Sequence, residues 1–167
     1  KMPLLRDVGE WLEANAPVTR SASLVHGEFC LDNVIFDPGT PPSAAAVIDW
    51  GQSGVGDPRT DLGMPLATWT ADGAADAVEL APPFLDRPGY PDRTDLVERY
   101  ERRTGLGYEH DRFYRTFAVY RIAARAACRL RDRLEADHSE GAIDALERRT
   151  CELVERAAGI AAGDRPL

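Results

Sequence analysis

The sequence predicts an α+β fold that is mostly helical, with one small β-hairpin carrying polar loops at its ends. Three observations predict it. Apolar residues recur at helical spacing near both ends of the chain. Two short apolar runs, 33–36 and 45–48, flank Asp37-Pro38-Gly39 and Pro41-Pro42-Ser43, the pattern of two strands joined by a turn. The chain has 167 residues, 44% hydrophobic and 29% charged, which suits a single globular domain spanning 1–167 with a sizeable core.

The elements follow in order. Leu4, Leu5, Val8, Trp11 and Leu12 mark an amphipathic helix over 4–16, ended by Pro17. Residues 23–25 are short and extended, and 26–32 form a loop. The hairpin follows, then a loop over 51–56. Asp57-Pro58 opens a helix to about Trp69, with Asp57 as N-cap and Pro58 at the first helical position. Residues 70–92 are rich in Ala, Gly, Pro and Asp and carry no clear period, while 92–103 is helical. Two long helices close the chain. Phe113, Phe117, Tyr120, Ala124, Ala127 or Cys128, and Leu134 mark one stripe, and Ile143, Leu146, Thr150, Leu153, Ala157 and Ile160 the other.

Composition excludes several functions. A net charge of −8 argues against a nucleic-acid partner. No run reaches the ~18 apolar residues of a membrane span. Cys30, Cys128 and Cys151 are odd in number and far apart, which argues against a disulfide framework or a zinc site and points to a reducing, cytoplasmic setting. Nothing in the sequence sets the oligomeric state. Nineteen of the twenty basic residues are Arg, and the single Lys is Lys1. Chemistry that needs a phosphate-gripping Lys therefore has no candidate beyond position 1.

The informative stretch runs Leu24-Val25-His26-Gly27-Glu28-Phe29-Cys30-Leu31-Asp32-Asn33-Val34-Ile35-Phe36, with Ile48-Asp49-Trp50-Gly51 further on. Protein kinases carry H-R-D-x-x-x-x-N followed by D-F-G. Here the pattern reads H-G-E-x-x-x-x-N followed by D-W-G. Phosphoryl transfer needs an acceptor hydroxyl held in line with the γ-phosphate and cations to absorb the developing charge. A carboxylate at Glu28 can orient and deprotonate that hydroxyl. Asn33 and Asp49 offer hard oxygens suited to Mg²⁺, and the hairpin puts both at one end.

These residues resemble the aminoglycoside phosphotransferase family of kinase-like enzymes, in the branch related to acyl-CoA-dehydrogenase-linked phosphotransferases. Residues 24–36 follow that branch's loop pattern. Ala46-Val47-Ile48-Asp49-Trp50 and Gly56-Asp57-Pro58-Arg59-Thr60-Asp61-Leu62-Gly63 follow its later motifs. The resemblance implies the C-terminal lobe of a protein-kinase-like fold, with a catalytic loop at 24–36, a metal loop at 45–56 and a helical subdomain over 57–162. It implies Glu28 at the position of the catalytic base, Asn33 and Asp49 holding magnesium, His26 bracing the loop, and Asp61 as a buried carboxylate bound to the loop backbone. The implied reaction moves the ATP γ-phosphate to a hydroxyl of a small molecule, aminoglycoside-like or hydroxyacyl-type.

Two departures stand out. Glu28 replaces the family's usual Asp, adding roughly 1.5 Å of reach. A shift of ~1 Å in a positioned group can cost about 100-fold in rate. This opens the alternative of a catalytically silent pseudokinase that binds ligands or acts as a scaffold. The other departure is the lack of a Gly-rich phosphate loop and strand Lys. The expectation is a fragment whose nucleotide binding is completed by an upstream lobe, and which is inactive alone. Cys30 has no basic neighbour and is expected to be unreactive. His110 and His138 read as exposed helix-end residues, and Asp32 as a local hydrogen-bonding residue. The acidic excess over 49–98 reads as surface charge.

Overall fold

The computed structural model describes residues 2–19, 21–69, 89–136 and 140–164. The chain divides into two compact units, Val18–Tyr108 and Lys1–Pro17 with Glu109–Leu167.

The second unit is built from three helices: α1 (Pro3–Ala14), α4 (Asp111–Glu135) and α5 (Glu140–Ala162). Pro3 occupies the first turn of α1, where its missing N–H costs nothing. Val8 and Leu12 are buried. A Cβ at Gly9 would lie 2.9 Å from the Tyr120 hydroxyl, so Gly9 lets α1 and α4 approach closely. The α5 stripe is as expected at Thr150, Leu153, Ala157 and Ile160, all buried.

On α4 the buried face is rotated from the expected one. Tyr114, Ala118, Val119, Ala123, Ala126 and Leu130 are buried, whereas Phe113, Phe117, Tyr120, Ala124 and Ala127 are half-buried and Cys128 and Leu134 exposed. The cause is steric and electrostatic. Alanines let α5 pack close, and Arg115 enters the core with its charge held by Asp111, 2.6 Å away one turn earlier. A buried cation is tolerated only when paired in this way.

The first unit holds the polar loops. Residues expected to form one hairpin and a loop form two antiparallel two-stranded sheets. Strands β2 (Val34–Asp37) and β3 (Ser43–Val47) make the predicted hairpin, with a bulge between Ile35 and Phe36. Strands β1 (Ser23–Val25) and β4 (Gly54–Gly56) make the other. The expected loop over 51–56 is thus corrected at its end. Gly-Val-Gly has no strand pattern of its own and becomes a strand by pairing with β1. Helix α2 (Arg59–Thr68) begins one residue later than expected. Pro58, not Asp57, is therefore the N-cap, and the Asp57 carboxylate just before it accepts the Arg59 N–H at 3.0 Å. Arg59 pairs with Asp57 and donates to the Gly107 carbonyl at 2.6 Å. Helix α3 (Arg93–Thr104) starts with a capping box formed by Asp92 and Asp95 and ends at Gly105. The Trp69 indole donates to the Pro91 carbonyl, and Arg93 donates back to Trp69. Most of the stretch between, 70–88, lies outside the described residues.

Candidate active site

The loop between β1 and β2 is held from three sides. Asp61, in the first turn of α2, accepts the backbone N–H groups of His26 at 2.6 Å and Gly27 at 2.8 Å. One carboxylate thus satisfies two adjacent donors, a charge-assisted arrangement that fixes the loop's direction. Gly27 has φ +82°, and a Cβ there would fall 2.2 Å from the Gln52 carbonyl oxygen. Only glycine permits both that conformation and that approach.

His26 is 2% exposed. Its Nδ1 faces the Glu28 N–H at 3.2 Å and its Nε2 the Ile48 carbonyl at 2.8 Å. A backbone N–H can only donate, so Nδ1 is the acceptor and Nε2 carries the proton given to Ile48. The ring packs against Trp50, with centroids 4.8 Å apart, and edge-on to Phe29. Trp50 is itself fixed by its indole N–H donating to Val47 at 2.9 Å. The imidazole therefore ties the Glu28 loop to the end of β3, one residue before Asp49.

Asn33 closes the loop. Its amide NH₂ donates to the Glu28 carbonyl at 2.9 Å, and its own carbonyl accepts the Ile48 N–H at 2.9 Å. With the NH₂ engaged, the side-chain oxygen is the atom left to meet a cation. Asp49 is exposed and left-handed, φ 62° and ψ 57°, a conformation Asp tolerates better than most residues. Among the described residues, no group of three or more His, Cys, Asp or Glu side chains could hold an ion by itself. The donor set still suits Mg²⁺, which favours one or two protein oxygens completed by phosphates and water.

Cys30 lies in the same loop, half-buried. Burial is the largest influence on its thiol and raises its pKa above the ordinary cysteine value. The neighbouring charges of Asp32 and Glu28 push the same way, while the backbone N–H groups of Asn33 and Asp32 pull it down. Cys30 is therefore a thiol at neutral pH. His110 is exposed at the start of α4, and His138 lies outside the described residues.

Of the predicted residues, His26, Glu28, Asn33 and Asp61 are joined by hydrogen bonds, Glu28 through its backbone N–H and carbonyl, and Asp49 follows the carbonyl that His26 grips. Sequence reasoning did not single out Trp50 and Gln52. The sequence carried one clue, Gly27 directly beside His26, which signals a close backbone approach.

A family model described as Phosphotransferase enzyme family matches residues 3–97. The chain belongs to that family. Among solved structures, this phosphotransferase-family chain is similar to a candidate aminoglycoside phosphotransferase from Ralstonia eutropha JMP134. The TM-score is 0.78 and the identity 26%, over 98% of this chain and 50% of that one. The similarity extends to acyl-CoA dehydrogenase family member 11 of Homo sapiens, 39% identical over 106 residues, or 63% of this chain and 13% of that protein. Acyl-CoA dehydrogenase family member 10 of Mus musculus is 27% identical over 125 residues, 74% of this chain and 12% of that protein. The chain thus spans about an eighth of those curated relatives and half of the solved one. The mostly helical α+β fold with small antiparallel sheets is that of an aminoglycoside phosphotransferase, kinase-like in class. No helix among the described residues is long and apolar enough to cross a membrane.

Proposed function

We propose that this chain is the C-terminal lobe of a small-molecule kinase, moving the γ-phosphate of ATP to a hydroxyl group. The observation that carries this reading is the His26 imidazole. It joins the loop bearing Glu28 to the strand end bearing Asp49, while Asn33 closes the same loop.

In the proposed reaction, Glu28 orients the acceptor hydroxyl and takes its proton as the oxygen attacks the γ-phosphorus. The oxygen–phosphorus bond forms as the bond to the β-phosphate oxygen breaks, and ADP leaves. Asn33 and Asp49 hold Mg²⁺, which neutralises charge on the phosphates when bound. His26 and Asp61 are positioning residues. They hold the loop so that the carboxylate need not reorganise during reaction. The nucleotide-gripping Lys lies outside this lobe, because none follows Lys1. The proposed acceptor is a small-molecule hydroxyl, aminoglycoside-like or hydroxyacyl-type, and the name of the similar solved structure, a candidate aminoglycoside phosphotransferase, supports the former.

Glu28 itself favours a second reading, a pseudokinase that binds ligand without turnover. Substitution separates the two in the complete protein. If Glu28 is the working base, Glu28→Gln abolishes ATP turnover and Glu28→Asp lowers it. If the native protein is silent and Glu28→Asp turns over ATP at least ~100-fold faster, catalysis has been lost through the longer side chain.

A further inference from the structure

Asp61 grips the catalytic loop, and the turn that carries Asp61 is itself held from outside. Pro58, the N-cap of α2, offers no side-chain cap. Asp57 does the holding. Its carboxylate accepts the Thr19 hydroxyl, the Arg59 N–H at 3.0 Å and the Arg59 guanidinium at 3.2 and 3.4 Å. Its carbonyl accepts the Thr60 N–H at 3.0 Å and the Thr60 hydroxyl at 2.7 Å. The Asp61 N–H then donates to the Pro58 carbonyl at 3.3 Å. Asp57 therefore reaches both sides of the Asp61–His26 contact. One helical turn leads from it to Asp61. Thr19 lies shortly before β1, which ends at Val25, next to His26.

Arg59 locks Asp57 in place. Its Nη1 spans both carboxylate oxygens, while its Nε donates to the Gly107 carbonyl at 2.6 Å, just beyond α3. The fork thus ties Asp57 to a third segment, distant in sequence. The Arg59 and Asp57 side chains are only 19% and 9% exposed. Desolvation offsets much of the attraction in a pair this buried, so stability alone accounts poorly for it. Its geometry accounts for it better, because a planar guanidinium serves two acceptors in fixed directions.

We propose that Arg59 is a positioning residue for phosphoryl transfer, acting through Asp57 and Asp61 on the backbone of the Glu28 loop; the role rests on the kinase reading above. Freed from Arg59, the Asp57 carboxylate releases the first turn of α2, and Asp61 shifts with it. A displacement of ~1 Å at the loop is enough to lower the rate about 100-fold. A lysine at position 59 keeps the charge but, as a point charge, holds one of the two acceptors rather than both.

The test uses the complete protein, native and with Arg59→Lys, Arg59→Met or Arg102→Lys. Arg102 forms an exposed pair with Glu98 on α3 and serves as the control. Amide hydrogen exchange is read residue by residue, beside kcat and KM for MgATP. His26 and Gly27 exchange at least ~10-fold faster in Arg59→Lys, and faster still in Arg59→Met. The Ile48 N–H, bound to the Asn33 carbonyl, keeps its native rate. In the same variants kcat falls at least ~10-fold while KM stays within about twofold, the pattern of a contact used in the transition state rather than in binding. Arg102→Lys matches the native protein in both readouts. Arg59→Lys keeps a cation beside Asp57 and carries the test if Arg59→Met melts early. Native exchange at His26 and Gly27 in Arg59→Lys, equally faster exchange at Ile48, or a loss expressed in KM alone would each overturn the positioning role. A native protein that turns over no ATP overturns the kinase reading and the catalytic part of this role with it, and the exchange rates then show by themselves whether Arg59 holds the loop.

Discussion

Gly27→Ala tests the loop geometry most sharply, because two separable costs meet at one atom. The first is conformational. At φ +82° an alanine pays the left-handed penalty of roughly 1–2 kcal/mol. The second is steric. The new Cβ lies 2.2 Å from the Gln52 carbonyl oxygen, 2.9 Å from its carbon and 3.2 Å from its Cβ. Normal contact requires the two backbones to part by about 1 Å. That movement stretches the Asp61 hydrogen bonds to His26 and Gly27, each worth about 1.5–3 kcal/mol to a charged acceptor. The sum is about 4 kcal/mol, or a melting temperature lower by roughly 8–16 °C for a chain of this size. Gly105→Ala is the control. Its φ is +70°, yet nothing lies within 4 Å of the added Cβ, so only the conformational cost applies. Calorimetric melts of the two variants isolate the steric part. In the complete protein, a ~1 Å displacement of Glu28 lowers turnover about 100-fold. Equal melting temperatures for the two variants, or full turnover in Gly27→Ala, would refute the loop geometry.

The other predictions rest on single contacts. Asp61→Asn keeps one acceptor but turns an NH₂ toward a backbone N–H, so the chain loses about 2–4 kcal/mol in chemical denaturation and kcat falls more than KM rises. Asp111→Ala strips the nearest carboxylate from the buried Arg115 and costs roughly 3 kcal/mol, while Arg115→Met, which removes the charge as well, costs less. The Thr116 hydroxyl is buried without a hydrogen-bond partner among the described residues, so Thr116→Val leaves the melting temperature unchanged or raises it. Burial raises the Cys30 pKa, so at neutral pH iodoacetamide labels it more slowly than the exposed Cys128 and Cys151. The same upward shift means that burying the neutral thiol contributes stability below the ordinary cysteine pKa. That contribution is lost as pH rises through the folded value.

What the sequence showed depended on where each signal was stored. The hairpin and the His26–Asn33 loop were readable because turn residues and polar spacing are local. The pairing of β4 with β1 was not, since Gly54-Val55-Gly56 owes its extended form to a partner some thirty residues earlier. The buried face of α4 is not the stripe of its largest side chains, so size alone does not locate it. The packing instead uses Ala118, Ala123 and Ala126, with room for a paired arginine. Trp50 and Gln52 were missed for a related reason. Their contacts with His26 and Gly27 are tertiary, and only the glycine hinted at them.

The central claim is that Asp49, held at the end of β3 beside the carbonyl that His26 grips, completes a magnesium–nucleotide site. The direct measurement is the thermal shift given by MgATP to the complete protein, native and Asp49→Ala. A ligand that binds only the folded state stabilises it by mass action, by about 2.7 kcal/mol at a concentration 100 times Kd, and so raises the melting temperature. The account predicts a magnesium-dependent rise in the native protein that vanishes in Asp49→Ala. An equal rise in both, or none in either, would contradict it.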